Sequence, residues 1–190
     1  MLLIVDMIND LNFPDNEELV RRSEGLGKNV ARLKNKCQQA GIPVIYVNDN
    51  VGSWRSDFQE LVRKCISPKS AGRGMVRQIA PTRGDLLVLK PRHSVFYGTP
   101  VDVLLTDMKA TSIILVGLLT HSCVLLSASD AYMRGYRLSV PQDCVAGRTE
   151  HEHRSALKVM ESSFRVHITP FDRMEVLKRT RDRKIRSKAA

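Results

Sequence analysis

Short apolar runs alternate along the chain with longer stretches whose apolar residues recur at helical spacing. Each run is rich in Val, Ile and Leu and is bounded by turn residues. This pattern is typical of βαβ units, in which helices cover a parallel sheet on both faces. It predicts six strands, at approximately residues 1–6, 43–48, 85–90, 112–117, 137–141 and 165–169. The predicted fold is α/β, with three layers around a doubly wound, six-stranded parallel sheet of the Rossmann-like kind.

Capping residues and glycines between the apolar runs support the predicted helices. Thr149 is followed three residues later by Glu152, which predicts a capping box at a helix start. Gly41 and Gly135 each follow an amphipathic stretch and precede a strand, where a left-handed residue ends a helix. The segment 48–84 is the least regular, and we expect a helix near 57–65 and then a long loop.

Length and charge divide the chain into two parts. The chain has 190 residues, enough for one domain, and we place that domain at residues 1–172. The net charge is +10, and residues 173–190 hold eight Lys or Arg and two acids, hence +6 of it. We interpret this segment as a basic helix or tail in solvent. Without a zinc-finger spacing or an aromatic-rich RNA motif, we expect no nucleic-acid partner.

The apolar runs are too short to span a bilayer, so no membrane association is expected. Met1 lies directly in the first run, without a basic region or a cleavage site after it, so we expect no secretory signal and a cytoplasmic location. The cysteines are widely spaced and form no CxxC pair. We therefore interpret all four as thiols: Cys37, Cys65, Cys123 and Cys144.

Three reactive residue types follow predicted strands. In a doubly wound sheet, ligands bind outside the carboxyl ends of the strands, where the strand order reverses. Asp6 follows the first strand, Lys90 the third and Cys123 the fourth. Cys123 also lies at the expected start of a helix that runs to about Arg134, where the helix dipole favours a thiolate. A buried, inert cysteine is the alternative.

A nucleophilic thiol needs a base. His121 is two residues from Cys123, a spacing that argues against it, whereas Asp6 at the end of a neighbouring buried strand would have a raised proton affinity. Lys90 could hold the carboxylate and the thiol in place and favour the thiolate. Spacing alone leaves open that Asp6 and Lys90 form a structural ion pair.

Three segments carry a family resemblance. Residues 6–11 (DMINDL), 90–96 (KPRHSVF) and 117–124 (GLLTHSCV) resemble, in the same order, the DMxNDF, KPRxSxF and GxxTxxCV segments of the isochorismatase-like cysteine hydrolases. Residues 130–132 and 143–146 extend the similarity, which covers about residues 1–170.

The resemblance implies an isochorismatase-like hydrolase fold and assigns the site. It implies that Cys123 is the nucleophile, Asp6 the general base and Lys90 the third member of a catalytic triad. It further implies a cis peptide between Leu118 and Leu119. The backbone N–H groups of Leu119 and Cys123 would then form the oxyanion hole.

Departures from the family pattern narrow the chemistry. Nicotinamidases of this superfamily build a metal site on an Asp-x-His motif after the second strand, where this chain has Asp49-Asn50-Val51. We therefore expect no metal and no cofactor. True isochorismatases cleave a vinyl ether and can work without the cysteine, so Cys123 favours cleavage of a C–N bond. We expect five side chains to line the substrate pocket: Phe13, Trp54, His93, Phe96 and Thr120.

The sequence thus predicts a metal-independent cysteine hydrolase that cleaves a small amide or carbamoyl compound through a thioester on Cys123. Two alternatives stay open at this point. One is an isochorismatase-type vinyl-ether hydrolase, and the other is a non-catalytic binding protein on the same fold. The resemblance favours a homodimer or homotetramer, and the expected partner is a small-molecule substrate.

Overall fold

A parallel sheet forms the centre of the computed structural model, which describes residues 1–52 and 57–174. The strands run in the order β3-β2-β1-β4-β5, and β6 also pairs with β4. Every pair is parallel. The strands are β1 (Leu2–Val5), β2 (Val44–Asp49), β3 (Leu86–Lys90), β4 (Ser112–Leu118), β5 (Arg137–Ser139) and β6 (Val145–Ala146). The predicted doubly wound α/β class is confirmed.

Helices cover both faces of the sheet. They are α1 (Glu17–Gln39), α2 (Phe58–Cys65), α3 (Arg73–Ile79), α4 (Val101–Asp107), α5 (Leu125–Met133) and α6 (Glu150–Phe164). Side chains of β1 alternate between the faces, so Leu2 and Ile4 join one apolar core while Leu3 and Val5 join the other. Apolar residues of α1, α2 and α3 fill the first core, and those of α4, α5 and α6 fill the second.

The sixth strand lies elsewhere than predicted. It is the two-residue β6, which pairs with Gly117 and Leu118 of β4. The predicted strand 165–169 pairs with β5 at one position, through an isolated parallel bridge between His167 and Ser139. It is short because Arg165 adopts the left-handed conformation that ends α6, and Pro170 follows at the other end.

The other helix predictions are mostly confirmed. Thr149 and Glu152 form the capping box at the start of α6, and α2 occupies the position predicted for a helix near 57–65. Gly41 and Gly135 have φ values of 72° and 80°. The prediction of a long loop after α2 is wrong in part, because the segment contains α3. This helix packs against α1, and its Met75 and Val76 are fully buried in the first core.

The predicted domain boundary at residue 172 lies two residues before the end of the described part of the chain, and most of the predicted basic tail lies beyond that end. Residues 175–190 lie outside the part of the chain that the structure describes, as do residues 53–56. Within the described ranges, no helix is both long and apolar enough to cross a bilayer.

Strand order reverses between β1 and β4, where the chain first runs outward to β3 and then returns to the other side of β1. The two strands approach closely at Gly117. Its φ is 119°, and a Cβ there would lie 2.0 Å from the carbonyl oxygen of Val5. Only glycine allows this contact. The crevice at the carboxyl ends of β1 and β4 is therefore the place to look for a site.

Candidate active site

The ends of three strands bring Asp6, Lys90 and Cys123 together. Asp6 follows β1 directly and has a left-handed backbone with φ 51°, a conformation that Asp tolerates better than most residues. Its N–H donates to the Val47 carbonyl oxygen of β2 at 3.1 Å. Lys90 is the last residue of β3, and Cys123 lies in a π-helical turn, Thr120–Val124, between β4 and α5.

Lys90 links the other two side chains. Its Nζ lies 2.9 Å from Asp6 Oδ2 and 3.5 Å from Cys123 Sγ. The Asp6 carboxylate is also close enough to Cys123 for its negative charge to act on the pKa of the thiol. Asp6 Oδ1 accepts a hydrogen bond from the Asp49 N–H at 2.7 Å, so the end of β2 holds the carboxylate in place. The three residues that the sequence singled out thus form one contact cluster.

Burial changes the pKa values of the side chains in this cluster. Burial raises the pKa of Asp6 above its ordinary value, and the neighbouring Lys90 cation opposes that shift only in part. For Lys90, which is 0% exposed, burial acts to lower the pKa. The neighbouring Asp6 carboxylate, and more weakly Asp49, act in the opposite direction, and the pKa of Lys90 is raised. Lys90 therefore stays a cation throughout the physiological pH range.

The thiol is the uncharged member. Burial, and then the negative charge of Asp6, raise the pKa of Cys123 to about 12, against the opposing effect of Lys90. The expectation that a helix start would favour a resting thiolate is therefore wrong. Cys123 sits inside the π-helical turn and beside a carboxylate, and both its burial and that charge keep the proton on sulfur.

The turn that carries Cys123 has the backbone feature expected of the family. The peptide between Leu118 and Leu119 is cis. The N–H groups of Ser122 and Val124 both donate to the Leu119 carbonyl oxygen, at 3.0 and 3.2 Å, and this closes the turn. The oxyanion hole assigned to the Leu119 and Cys123 N–H groups stays a prediction.

The cluster opens into a cavity of about 510 Å³, a size suited to a small ligand. Phe13 and His93, two of the predicted substrate contacts, line it together with Leu119 and Cys123. The full lining is Asp6, Ile8, Asn9, Asp10, Asn12, Phe13, Asn48, Asp49, Val51, Leu61, Lys64, Cys65, His93, Leu118, Leu119, Ser122, Cys123 and Arg148.

Two predicted contacts lie elsewhere, and a third cannot be placed. Phe96 is 5% exposed in the core above α5, where its ring stacks on Tyr136. Thr120 is fully buried, and its hydroxyl bonds to His153 Nδ1 at 2.9 Å. Both side chains are structural because each one points away from the cavity into a packed interior. Trp54 lies outside the described residues.

Several cavity residues were not predicted. Asp10 and Lys64 form an ion pair of 2.9 Å at the cavity wall, and Cys65 lies beside them. In the segment DMINDL, the position after a strand favoured Asp6 over Asp10 as a site residue. For Lys64, the pattern of a helix near 57–65 does not show that the end of this helix faces the site. Arg148 follows β6, the strand that the sequence pattern missed, so its place at a strand end was also missed.

Asp49 stands where the Asp-x-His metal motif of nicotinamidases would begin. Asp49 Oδ2 lies 3.8 Å from Lys90 Nζ, a cation that competes with any metal. Within residues 1–52 and 57–174, no group of three His, Cys, Asp or Glu side chains is arranged to hold a metal ion. His121, the rejected base, faces Glu152 with 3.6 Å between Nε2 and Oε1.

The chain is similar to known proteins over most of its length. The isochorismatase domain model matches residues 1–170. The isochorismatase family protein YaaI of Bacillus subtilis, described as uncharacterized, is 37% identical over 168 residues, which are 88% of this chain and 92% of that protein.

Two solved structures show the same fold. An isochorismatase family protein of Desulfovibrio vulgaris has a TM-score of 0.71 at 25% identity, over 90% of this chain and 93% of that one. N-carbamoylsarcosine amidase of Thermoplasma acidophilum has a TM-score of 0.68 at 26% identity, over 92% and 97%. The chain therefore belongs to the isochorismatase family and is a hydrolase.

Proposed function

We propose that this hydrolase cleaves a C–N bond of a small amide or carbamoyl compound without a metal, through a thioester on Cys123. The observation that carries the proposal is the position of Lys90 Nζ, 2.9 Å from Asp6 Oδ2 and 3.5 Å from Cys123 Sγ, at a cavity of about 510 Å³. A structural ion pair alone would not need a thiol as its third member.

In the first half of the reaction, Asp6 accepts the Cys123 proton while Sγ attacks the substrate carbonyl carbon. The raised pKa of Asp6 suits this role, because a carboxylate with higher proton affinity is a better base. Lys90 stays a cation and offsets the negative charge that moves from Asp6 to sulfur. The N–H groups of Leu119 and Cys123 bind the oxyanion in this proposal.

The second half releases both products. Asp6 returns the proton to the nitrogen as the C–N bond breaks, which frees ammonia or an amine and leaves the acyl group on Sγ. A water molecule then loses a proton to Asp6 and attacks the thioester carbonyl. The acid departs, the proton returns to sulfur, and the cluster regains its resting state.

One alternative is vinyl-ether hydrolysis of the isochorismatase type. There Asp6 would protonate the substrate and the thiol would be dispensable. The contacts of Lys90 with both Asp6 and Cys123 argue for the amide reaction, because they hold the proposed nucleophile beside its proposed base. The presence of the full cluster also argues against a binding protein without activity.

The test is a screen for ammonia or amine release over a panel of small amides and carbamoyl compounds, with vinyl ethers as a separate arm. We expect turnover of at least one amide, and its loss in the Cys123→Ala variant. Cys37→Ala is the matched control, because Cys37 is buried in α1 and does not line the cavity. Hydrolysis of vinyl ethers alone would contradict the proposal.

A further inference from the structure

Asp49 places a second carboxylate beside the cluster of Asp6, Lys90 and Cys123. It is the last residue of β2, it lines the same cavity as Cys123, and its side chain is 48% exposed. Its Oδ2 lies 3.8 Å from Lys90 Nζ, too far for a hydrogen bond, whereas Asp6 Oδ2 lies 2.9 Å from the same nitrogen. The Lys90 cation therefore pairs chiefly with Asp6, and Asp49 can accept a hydrogen bond from a ligand in the cavity.

Two hydrogen bonds fix the position of this carboxylate. The Asp49 N–H donates to Asp6 Oδ1 at 2.7 Å, so the two acids are neighbours. Asp49 Oδ1 accepts from the Val51 N–H at 2.6 Å, an Asx-turn that occupies one carboxylate oxygen. Val51 also stands at the position of the histidine in the nicotinamidase metal motif, and its side chain has no ligand atom. Oδ2 is thus the oxygen on the side of Lys90.

The distances limit what this oxygen can reach. Lys90 Nζ lies 3.8 Å from Asp49 Oδ2 and 3.5 Å from Cys123 Sγ, so the oxygen and the sulfur are at most about 7 Å apart, a gap that one amide group can bridge. In a productive complex the carbonyl carbon lies about 3–3.5 Å from sulfur, its nitrogen is about 1.3 Å from that carbon, and a hydrogen bond spans about 2.9 Å. The nitrogen must also lie beside Asp6 to receive its proton, and it therefore falls within reach of both acids.

We infer that Asp49 accepts a hydrogen bond from the scissile nitrogen of the substrate, so that the enzyme selects compounds with an N–H group there, above all primary amides. This inference rests on the proposed amide hydrolysis. As the C–N bond breaks, the proton moves from Asp6 to nitrogen, the bonding electron pair stays with nitrogen, and ammonia leaves. The negative charge of Asp49 stabilises the positive charge that develops on nitrogen in this step. An ester has no N–H to donate, and its alkoxy oxygen is repelled by the carboxylate.

The experiment compares primary amides with methyl esters of the same acids. Propionamide is paired with methyl propionate and benzamide with methyl benzoate, and kcat/KM is measured from the release of the acid. Both members of a pair form the same acyl-enzyme, so the hydrolysis of the thioester is an internal control. The variants are Asp49→Asn, Asp49→Ala and Asp107→Asn. Asp107 is the matched control, because it is exposed at the end of α4 and is not part of the cavity lining.

The Asn side chain of Asp49→Asn can still accept from the Val51 N–H, but its NH2 group replaces the acceptor Oδ2 with a donor. For the amide, kcat/KM should fall roughly 10- to 100-fold, the range for a charged hydrogen bond, while the value for the ester should stay within about threefold or rise. Asp49→Ala should show the same selective loss, and Asp107→Asn should behave as the unmodified enzyme. An equal loss for amide and ester would indicate a structural role and overturn the inference, as would an unchanged value for the amide.

Binding of benzamidine, measured by calorimetry, gives a readout without turnover. Its amidinium group presents N–H donors and a positive charge at the place of the amide group of benzamide. If neither amide is hydrolysed, benzamidine binding that Asp49→Asn weakens by about tenfold or more supports an N–H site at Asp49, and that pair of results counts against amide hydrolysis alone. In the same case, benzamidine binding that is absent or independent of Asp49 overturns the inference.

Discussion

The negative charge of Asp6 beside the Cys123 thiol predicts opposite effects of Asp6→Asn on two reactions of the same sulfur. Asp6 keeps the thiol protonated through its charge, and it is also the proposed base for turnover. Replacing it with Asn removes the charge and keeps the shape. Cys123 should then react faster with a small alkylating agent, while substrate turnover falls about 100- to 10,000-fold.

The order of magnitude of the first effect follows from Coulomb's law. Two unit charges about 4 Å apart interact by about 4 kcal/mol at an effective dielectric constant of about 20, which corresponds to about 3 pKa units. The pKa of Cys123, about 12 with Asp6 present, should fall toward about 9. At pH 8 the thiolate fraction then rises about 1000-fold. A less basic thiolate is also a weaker nucleophile, which lowers its rate constant about 20- to 30-fold. The net rate of alkylation should therefore rise about 10- to 100-fold.

The assay is the rate of iodoacetamide labelling of the peptide that contains Cys123, followed by mass spectrometry at several pH values. The other three cysteines are buried and serve as internal references: Cys37, Cys65 and Cys144. Asp10→Asn is the matched control, because Asp10 lines the same cavity but pairs with Lys64. Slower or unchanged labelling in Asp6→Asn would refute the reasoning, since the carboxylate charge would then not be what keeps the proton on sulfur.

The remaining predictions concern the same cluster and its support. Lys90→Met should lower the free energy of unfolding by about 3–5 kcal/mol at pH 8, because Asp6 is left as a buried, unpaired charge. The loss should be smaller at pH 5, because the raised pKa of Asp6 favours its protonated, neutral form there. Urea denaturation at both pH values measures the difference. A chelator should leave turnover unchanged, and loss of activity that zinc restores would show a metal site around Asp49. Gly117→Ala should destabilise the fold by more than about 1 kcal/mol. The φ of 119° is unfavourable for alanine, and the Val5 carbonyl oxygen occupies the space that a Cβ would need. Thermal unfolding measures the loss of stability.

The sequence was enough to predict the fold and the clustering of Asp6, Lys90 and Cys123, because both depend on position along strands. Short apolar runs define β1 and β4. Because these strands are parallel neighbours, the residues that follow them lie at the same edge of the sheet. The family resemblance added the cis peptide at Leu118 and Leu119, which residue spacing alone could not show.

The errors have physical reasons of their own. Phe96 and Thr120 belong to the matched segments, but their side chains turn into the core, and the sequence does not reveal which way such residues face. β6 was missed because two residues are too few to form a pattern, and Arg148 was missed with it. The state of the Cys123 thiol depends on burial and on a carboxylate from a distant part of the chain, so the helix-start argument predicted the wrong direction.

The central claim is that Cys123 carries the reaction as a nucleophile, and kcat/KM of the Cys123→Ala variant tests it most directly. The measurement uses the best amide from the screen, under conditions where the unmodified enzyme and the variant are shown to be equally folded. The account predicts a loss of at least about 1000-fold, because no acyl-enzyme can form without the sulfur. A variant that retains kcat/KM within tenfold of the unmodified enzyme would contradict the account and would assign the chemistry to Asp6 alone.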